Sequence, residues 1–291
     1  MRVVRAIADL RTVLKSLREG GKRIGFVPTM GFLHEGHAAL IRQSAARCDE
    51  TVVSIFVNPS QFGPGEDLAA YPKDLERDQN LCLDAGASVL FLPDAAEIYP
   101  TGFQTHVEPG ALAEPLCGRF RPGHFRGVTT VVAKLFSLVQ PDLAFFGQKD
   151  FQQTVVIRRM VRDLNLPVDV VVIPTVRESD GLALSSRNAY LDDSARHRAL
   201  ALSQGLLAAQ TAFAAGERSA SRLRKIAAAA LAEVDSVQYL ELVDAQTLTP
   251  IKGPVDRTAA LCVAAYLGST RLIDNILLTP PLQEAAPKTQ A

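Results

Sequence analysis

Apolar positions in the first part of the chain fall in short runs separated by helical patterns. Leu10, Leu14 and Leu17 recur at helical spacing and Gly20-Gly21 ends the pattern, so the first segment reads as a helix. Arg23–Val27 is a short apolar run ending at Pro28, which predicts a buried strand. A Gly-containing turn, Thr29-Met30-Gly31, then leads through His34-Glu35-Gly36-His37 into a helix over Ala38–Cys48. Thr51–Val57 is β-branched and aromatic, a second strand closed by Asn58-Pro59. The polar, Pro/Gly-rich stretch Ser60–Lys73 precedes a helix to about Ala85. Further on, Ser88–Leu92, Leu143–Phe146 and Val168–Ile173 read as strands, and Val128–Val139 and Phe151–Leu164 as helices. Short apolar strands alternating with helices predict a Rossmann-like, doubly wound parallel α/β sheet covered on both faces.

The texture changes after about Thr175. Asp193–Ala215 and Ser219–Glu233 are Ala-rich helical segments, followed by strand-like Val237–Val243, Ala260–Leu267 and Arg271–Leu278. This predicts a domain over residues 1–175 and a smaller α+β domain over 176–291. The tail Gln283–Ala291 reads as frayed.

Composition narrows the class. The 291 residues are 47% apolar and 21% charged, with 31 basic and 31 acidic side chains and zero formal net charge. That is a globular composition without the basic excess expected of a nucleic-acid binder. The longest purely apolar stretch, Ala259–Leu267, is far short of the roughly 18 residues of a membrane span. The N-terminus lacks the apolar block of a signal peptide. The four cysteines, Cys48, Cys82, Cys117 and Cys262, are dispersed without a CxxC, which suits a reducing cytoplasm and small buried side chains. The expected location is cytoplasmic, with neither a nucleic-acid nor a membrane partner.

Candidate chemistry collects after strand ends, where open α/β sheets bind ligands. His34 and His37 are two of five histidines, three residues apart at a helix start where backbone amides favour an anion. They read as donors to a triphosphate; a zinc pair would need a third ligand, and none is evident locally. Lys149, in the turn Gly147-Gln148-Lys149-Asp150, is a cation aimed at phosphate. Gln153 follows Asp150 by three residues and can face the same site. Asn58 and Gln61 carry uncharged amides that both donate and accept. Ser185, Ser186 and Arg187 offer two hydroxyls and a planar, multi-donor guanidinium.

Taken together, PTMGFLHEGHAAL, VSIFVNPSQFGPGEDLAAYP, FGQKDFQQ and SSRNAYL, in that order, resemble the pantothenate synthetases, within the HxGH nucleotidyltransferase superfamily. The resemblance runs from about residue 23 to 191. It implies an AMP-forming acid–amino-acid ligase that condenses (R)-pantoate with β-alanine through a pantoyl adenylate, consuming ATP with Mg²⁺ and releasing pyrophosphate, commonly as a homodimer. It places ATP against Met30, Gly31, Phe32, Leu33, His34, Glu35, Gly36 and His37, against Gly147, Gln148, Lys149 and Asp150, and against Val176, Leu184, Ser185, Ser186 and Arg187. Pantoate falls to Gln61 and Gln153, with Asn58 beside them, and His34, His37 and Lys149 are the catalytic expectation. Leu184 stands where the family often has Met, a swap that keeps volume and apolarity.

Residues 64–73 look like a mobile flap over the site. For the metal, Asp74, Asp78 and Asp150 are candidates that the sequence does not separate, and Asp78 is taken as the ligand. His124, in RPGHFRGV, is a further residue that could approach the site, whereas His106 and His197 read as surface or core. Other cofactor nucleotidyltransferases would share the HxGH turn without NPSQF and GQKDFQQ. A non-enzymatic nucleotide-binding regulator would leave Gln61 and Gln153 without a purpose. An NAD-dependent dehydrogenase would need GxGxxG where PTMGFLHEGH stands.

Overall fold

The computed structural model describes residues 1–281. The tail expectation at Gln283–Ala291 lies outside the described residues. Six parallel strands form the larger sheet: β1 (Arg2–Val4), β2 (Ile24–Thr29), β3 (Glu50–Ile55), β4 (Val89–Phe91), β5 (Leu143–Gly147) and β6 (Asp169–Ile173). Their order is β1-β4-β3-β2-β5-β6. Around them lie α1 (Ile7–Glu19), α2 (Glu35–Ala45), α3 (Leu75–Asp84), the short α4 (Ala95–Ile98) and α5 (Cys117–Phe120), α6 (His124–Val139) and α7 (Phe151–Asp163). One face buries Val27, Ile41, Val53 and Leu90 beside Cys82 of α3. The other buries Phe26, Val52 and Phe91 against Leu10, Leu14, Val132 and Phe136. Burial on both faces explains the unbroken apolar runs.

The chain winds outward from β2 through β3 to β4, then returns to the other side of β2 as β5. Crevices form at such a switch in winding direction. Here β2 and β5 are in register only at Gly25↔Leu143 and Phe26↔Ala144. Pro28 has no N–H to prolong the ladder, and the two strands part beyond it. The turns after β2 and β5, which carry the HxGH and GQKD motifs, face each other across that gap.

The second sheet is antiparallel, with β7 (Ser236–Asp244), β8 (Ala259–Leu267) and β9 (Thr270–Leu278) in the order β7-β8-β9, alongside α8 (Asp193–Ala214) and α9 (Ala220–Ala230). Strand alternation splits β8 between two cores. Leu261, Val263 and Ala265 pack with α8 and α9, while Ala260, Cys262 and Ala264 join the apolar cluster around α6. The two sheets therefore share a core face.

Some local expectations differ from what forms; α6, for one, begins at His124 and not at Val128. The first residues make the edge strand β1, paired with β4, before α1 begins. Three residues are too few to display a period-two pattern. Helix α2 starts at Glu35, three residues before the apolar pattern begins, because His34 caps it.

Candidate active site

The floor of the crevice is the turn after β2. Gly31 and Phe32 both have positive φ, +88° and +49°. A Cβ at Gly31 would lie 3.0 Å from Ile55 Cγ2 and 3.2 Å from Asp78 Oδ2, so side-chain space and backbone conformation both demand glycine. Phe32 has no such freedom, and its left-handed backbone is held from outside. Asp78, 2% exposed, accepts the N–H of Phe32 at 2.8 Å and of Leu33 at 2.6 Å. Burial pushes its carboxyl above the ordinary value, against the lowering effect of the two amides. With both oxygens engaged beneath the turn, Asp78 serves the backbone. Asp150, beside Lys149, is the candidate carboxylate that lines the crevice.

His34 is the N-cap of α2, and its Nδ1 accepts the Gly36 N–H at 3.2 Å. A Cβ at Gly36 would lie 2.9–3.0 Å from that ring, so glycine lets the imidazole fold over the first turn. His37 Nδ1 in turn accepts the His34 N–H at 3.3 Å. Both Nδ1 atoms are acceptors, which places the proton of each neutral ring on Nε2. The rings lie 4.2 Å apart. Burial, then its neighbour His37 and the Lys149 charge, lower His34 to about 2. Burial and Lys149 lower His37 to about 4. The pair is thus two neutral N–H donors beside a cation.

The wall is set by Asn58 and Gln61. Asn58 is 1% exposed and internally satisfied. Its Nδ2 donates to Gly127 O at 3.1 Å and to Gln61 Oε1 at 2.9 Å, and its Oδ1 accepts from Tyr99 and Ser60. It therefore fixes Gln61 instead of presenting an amide of its own. Among the described residues, Gln61 Nε2 meets only the weakly accepting sulfur of Met30, at 3.1 Å. His124 approaches from α6, its Nδ1 2.8 Å from the Gln61 carbonyl, and burial lowers it to about 4.

The roof comes from two loops. Leu184 N–H donates to Val176 O at 3.0 Å, closing a hairpin that delivers Ser185, Ser186 and Arg187. Ser186 Oγ donates to Phe32 O at 3.1 Å, joining roof to floor. The segment predicted as a flap carries two carboxylates that pair with guanidiniums here. Asp67 takes Arg187 at 2.9 and 3.0 Å, and Glu66 takes Arg121 at 2.5 and 2.7 Å. Burial works against the Glu66 charge, but Arg121 brings its carboxyl below the usual range.

These elements enclose a cavity of about 230 Å³ lined by Met30, His34, Gly36, His37, Gln61, Gly147, Lys149, Asp150, Gln153, Val176, Leu184, Ser185, Ser186 and Arg187, with Asn58 behind. It adjoins a second cavity of about 730 Å³ that shares Arg121, His124, Lys149, Asp150, Gln153, Ser185 and Arg187 and extends to the antiparallel sheet. Gly31, Phe32, Leu33, Glu35 and Gln148 are not among the residues lining either cavity. Leu33 is core, Glu35 pairs with Arg42 on the surface, and Gln148 bonds Asn275.

Known proteins match nearly the whole length of this chain. The family model for pantoate-beta-alanine ligase matches residues 2–277. Pantothenate synthetase 1 of Bradyrhizobium diazoefficiens is 61% identical over 279 residues, 96% of this chain and 99% of that one. The Geobacter sulfurreducens pantothenate synthetase is 52% identical, again over 96% and 99%. The chain belongs to the pantoate–β-alanine ligase family. Among solved family members, the pantothenate synthetase of Thermus thermophilus has 48% identity and a TM-score of 0.91, covering 96% of this chain and 100% of that one. The Francisella tularensis ligase, solved with β-γ ATP and β-alanine, has 33% identity and a TM-score of 0.80, covering 95% and 97%. The family assignment and the parallel-sheet fold read from the sequence are both borne out.

Within this family member, sequence reasoning missed Arg121, Glu66, Asp67 and the Asp274-Asn275 pair of β9. Arg121 shared the RPGHFRGV segment with His124 and could have been weighed with it. Asp274-Asn275 interrupts the apolar strand Arg271–Leu278, and buried polar residues in such a run need partners. No helix among the described residues is long and apolar enough to cross a membrane.

Proposed function

We propose that this crevice joins pantoate to β-alanine through a pantoyl adenylate. The pantoate carboxylate attacks the α-phosphorus of ATP, and the bond to the β-phosphate bridging oxygen breaks to release pyrophosphate. The amine of β-alanine then attacks the acyl carbon, loses a proton and expels AMP. The protein need supply no nucleophile. Its tasks are alignment and the stabilisation of charge developing on phosphate.

The observation that carries this reading is the neutral imidazole pair, which lines one cavity together with Lys149, whose charge helps to hold both rings neutral. In this reading the pair and Lys149 donate to the triphosphate. Gln61 and Gln153 orient pantoate, and Ser185, Ser186 and Arg187 receive pyrophosphate. Met30, Gly147, Val176 and Leu184 wall the nucleotide. Residues 1–175 bind nucleotide and pantoate, and residues 176–291 carry the Ser185–Arg187 loop. Asp150 is the carboxylate that suits Mg²⁺, an ion that commonly takes one or two carboxylates along with substrate phosphates. When bound, the ion neutralises phosphate charge. Action as a cytoplasmic homodimer belongs to the same reading.

The test omits ATP, pantoate and β-alanine in turn while AMP and pyrophosphate are assayed. Pyrophosphate exchange into ATP should require pantoate and proceed without β-alanine. Exchange that needs β-alanine would refute the two-step scheme.

A further inference from the structure

Lys149 sits in a single 3₁₀ turn, Gln148–Asp150, between β5 and α7. The turn follows directly on the β5–β6 ladder, which ends at Gly147↔Ile173, and no side chain caps it. Asp150, the N-cap of α7, makes no side-chain capping hydrogen bond. The fixing contact comes from β9, more than a hundred residues later. Asn275 is 2% exposed, and its Nδ2 donates to the carbonyls of both Gln148 and Lys149 at 2.9 Å. Its Oδ1 faces Gln148 Nε2 at 3.3 Å. One amide group thereby fixes the orientation of two consecutive peptide units, and so the direction in which the Lys149 side chain leaves the backbone.

The strand that carries Asn275 is itself anchored. Asp274 points from the opposite face of β9 and takes Arg177 through two bonds of 2.6 and 3.0 Å. Its Oδ1 also accepts the Asn275 N–H at 2.7 Å. Arg177 bridges to Ala183 at the base of the hairpin that carries Ser185–Arg187. Two neighbouring residues of one strand thus hold the lysine turn and the hairpin through opposite faces.

We propose that Asn275 is a positioning residue for Lys149, so that the antiparallel sheet sets the aim of the phosphate-facing cation. The proposal rests on the role given to Lys149 above. It also gives the second sheet a part in the chemistry without a contact to substrate.

A double-mutant cycle tests it. Asn275→Ala should lower kcat about 10- to 100-fold, as expected for a misaimed group, and leave the pantoate KM within about 2-fold. In a Lys149→Ala background the same change should cost less than about 3-fold, because there is no ammonium left to aim. Asn275→Ser keeps one hydroxyl donor and should fall between wild type and Asn275→Ala, with the same loss of effect on the Lys149→Ala background. It carries the test should the alanine variant not fold. An equal factor in both backgrounds would overturn the positioning role while leaving the site reading intact. Full activity in Lys149→Ala alone would overturn both.

Discussion

The floor and the roof of the crevice hold their polar groups in opposite ways. On the floor, His34 and His37 are neutral, and their orientation is imposed by backbone N–H groups that their own Nδ1 atoms accept. Asp78 holds the turn beneath them through two further amides. On the roof, Arg121 and Arg187 are full charges already matched by Glu66 and Asp67. The floor is preorganised and presents N–H groups whose Nδ1 partners are already fixed. The roof holds internal ion pairs that an incoming anion must exchange. Preorganised donors raise the rate because nothing has to rearrange when charge develops. Paired cations gain less, since each new contact replaces an old one.

The largest expected effects therefore lie on the floor. His37→Ala and Lys149→Ala should each reduce turnover by about 100- to 1,000-fold, the usual loss for a charge-stabilising donor. Lys149→Ala should leave thermal stability little changed, since its side chain belongs to no apolar cluster, whereas His37→Ala also removes the Nδ1 cap on the His34 N–H and should cost about 1 kcal/mol. Steady-state rates with melting curves check this, and a near-normal rate would remove that residue from the chemistry.

Between floor and roof stands the amide wall. Gln61→Ala and Gln153→Ala should raise the pantoate KM by about 5- to 150-fold, the value of one neutral hydrogen bond in a closed site, and affect ATP much less. Gln→Glu should be worse, because a second carboxylate would repel that of pantoate. Varying the two substrates separately decides it. A shift in the ATP constant alone would assign these residues to the nucleotide.

The floor was also the part most legible in the sequence. The HxGH turn is contiguous, follows a strand and is built from glycines whose necessity is local. Gln61 was legible for the same reason, although Asn58 proved to be its support. Asp78, read as the metal ligand, accepts two backbone amides here, since a carboxylate near a phosphate motif in sequence can equally serve as a backbone acceptor. The roof was less legible. Arg121 meets Glu66 across 55 residues and Arg187 meets Asp67 across 120. Those partners are chosen by tertiary packing, which periodicity does not encode. The sheet itself was readable except at β1, whose three residues depend on β4 for their ladder.

The imidazole pair also makes a pH prediction. Both rings are lowered from 6.5, His37 to about 4 and His34 to about 2. The ATP kcat/KM, which reports the free enzyme, should therefore show no histidine inflection near 6.5. Folding stability has the matching sign. Above 6.5 the rings are neutral both folded and unfolded. As the pH falls below 6.5 the unfolded chain takes up protons that the fold refuses, and stability is lost progressively down to about 4 for His37. An activity step near 6.5 that vanishes in His37→Ala would show the pair to be titrating and break the contrast with the roof.

The smallest effect concerns the roof. Asp67 and Arg187 keep about a quarter of their side-chain surface exposed, so solvent screens the pair. Such a pair is worth on the order of 1 kcal/mol or less. Asp67→Asn removes the charge but keeps the shape, leaving Arg187 more available to a phosphate. The ATP KM should then fall, by about 5-fold at most for an interaction of that size. Added salt should narrow the difference, because it weakens the competing carboxylate in the parent enzyme. Asp67→Glu, which retains the charge, should behave like the parent. If Asp67→Asn instead raised the ATP KM, the carboxylate would be aiming Arg187 at its ligand. Roof and floor would then be preorganised alike, one through carboxylates and the other through backbone amides.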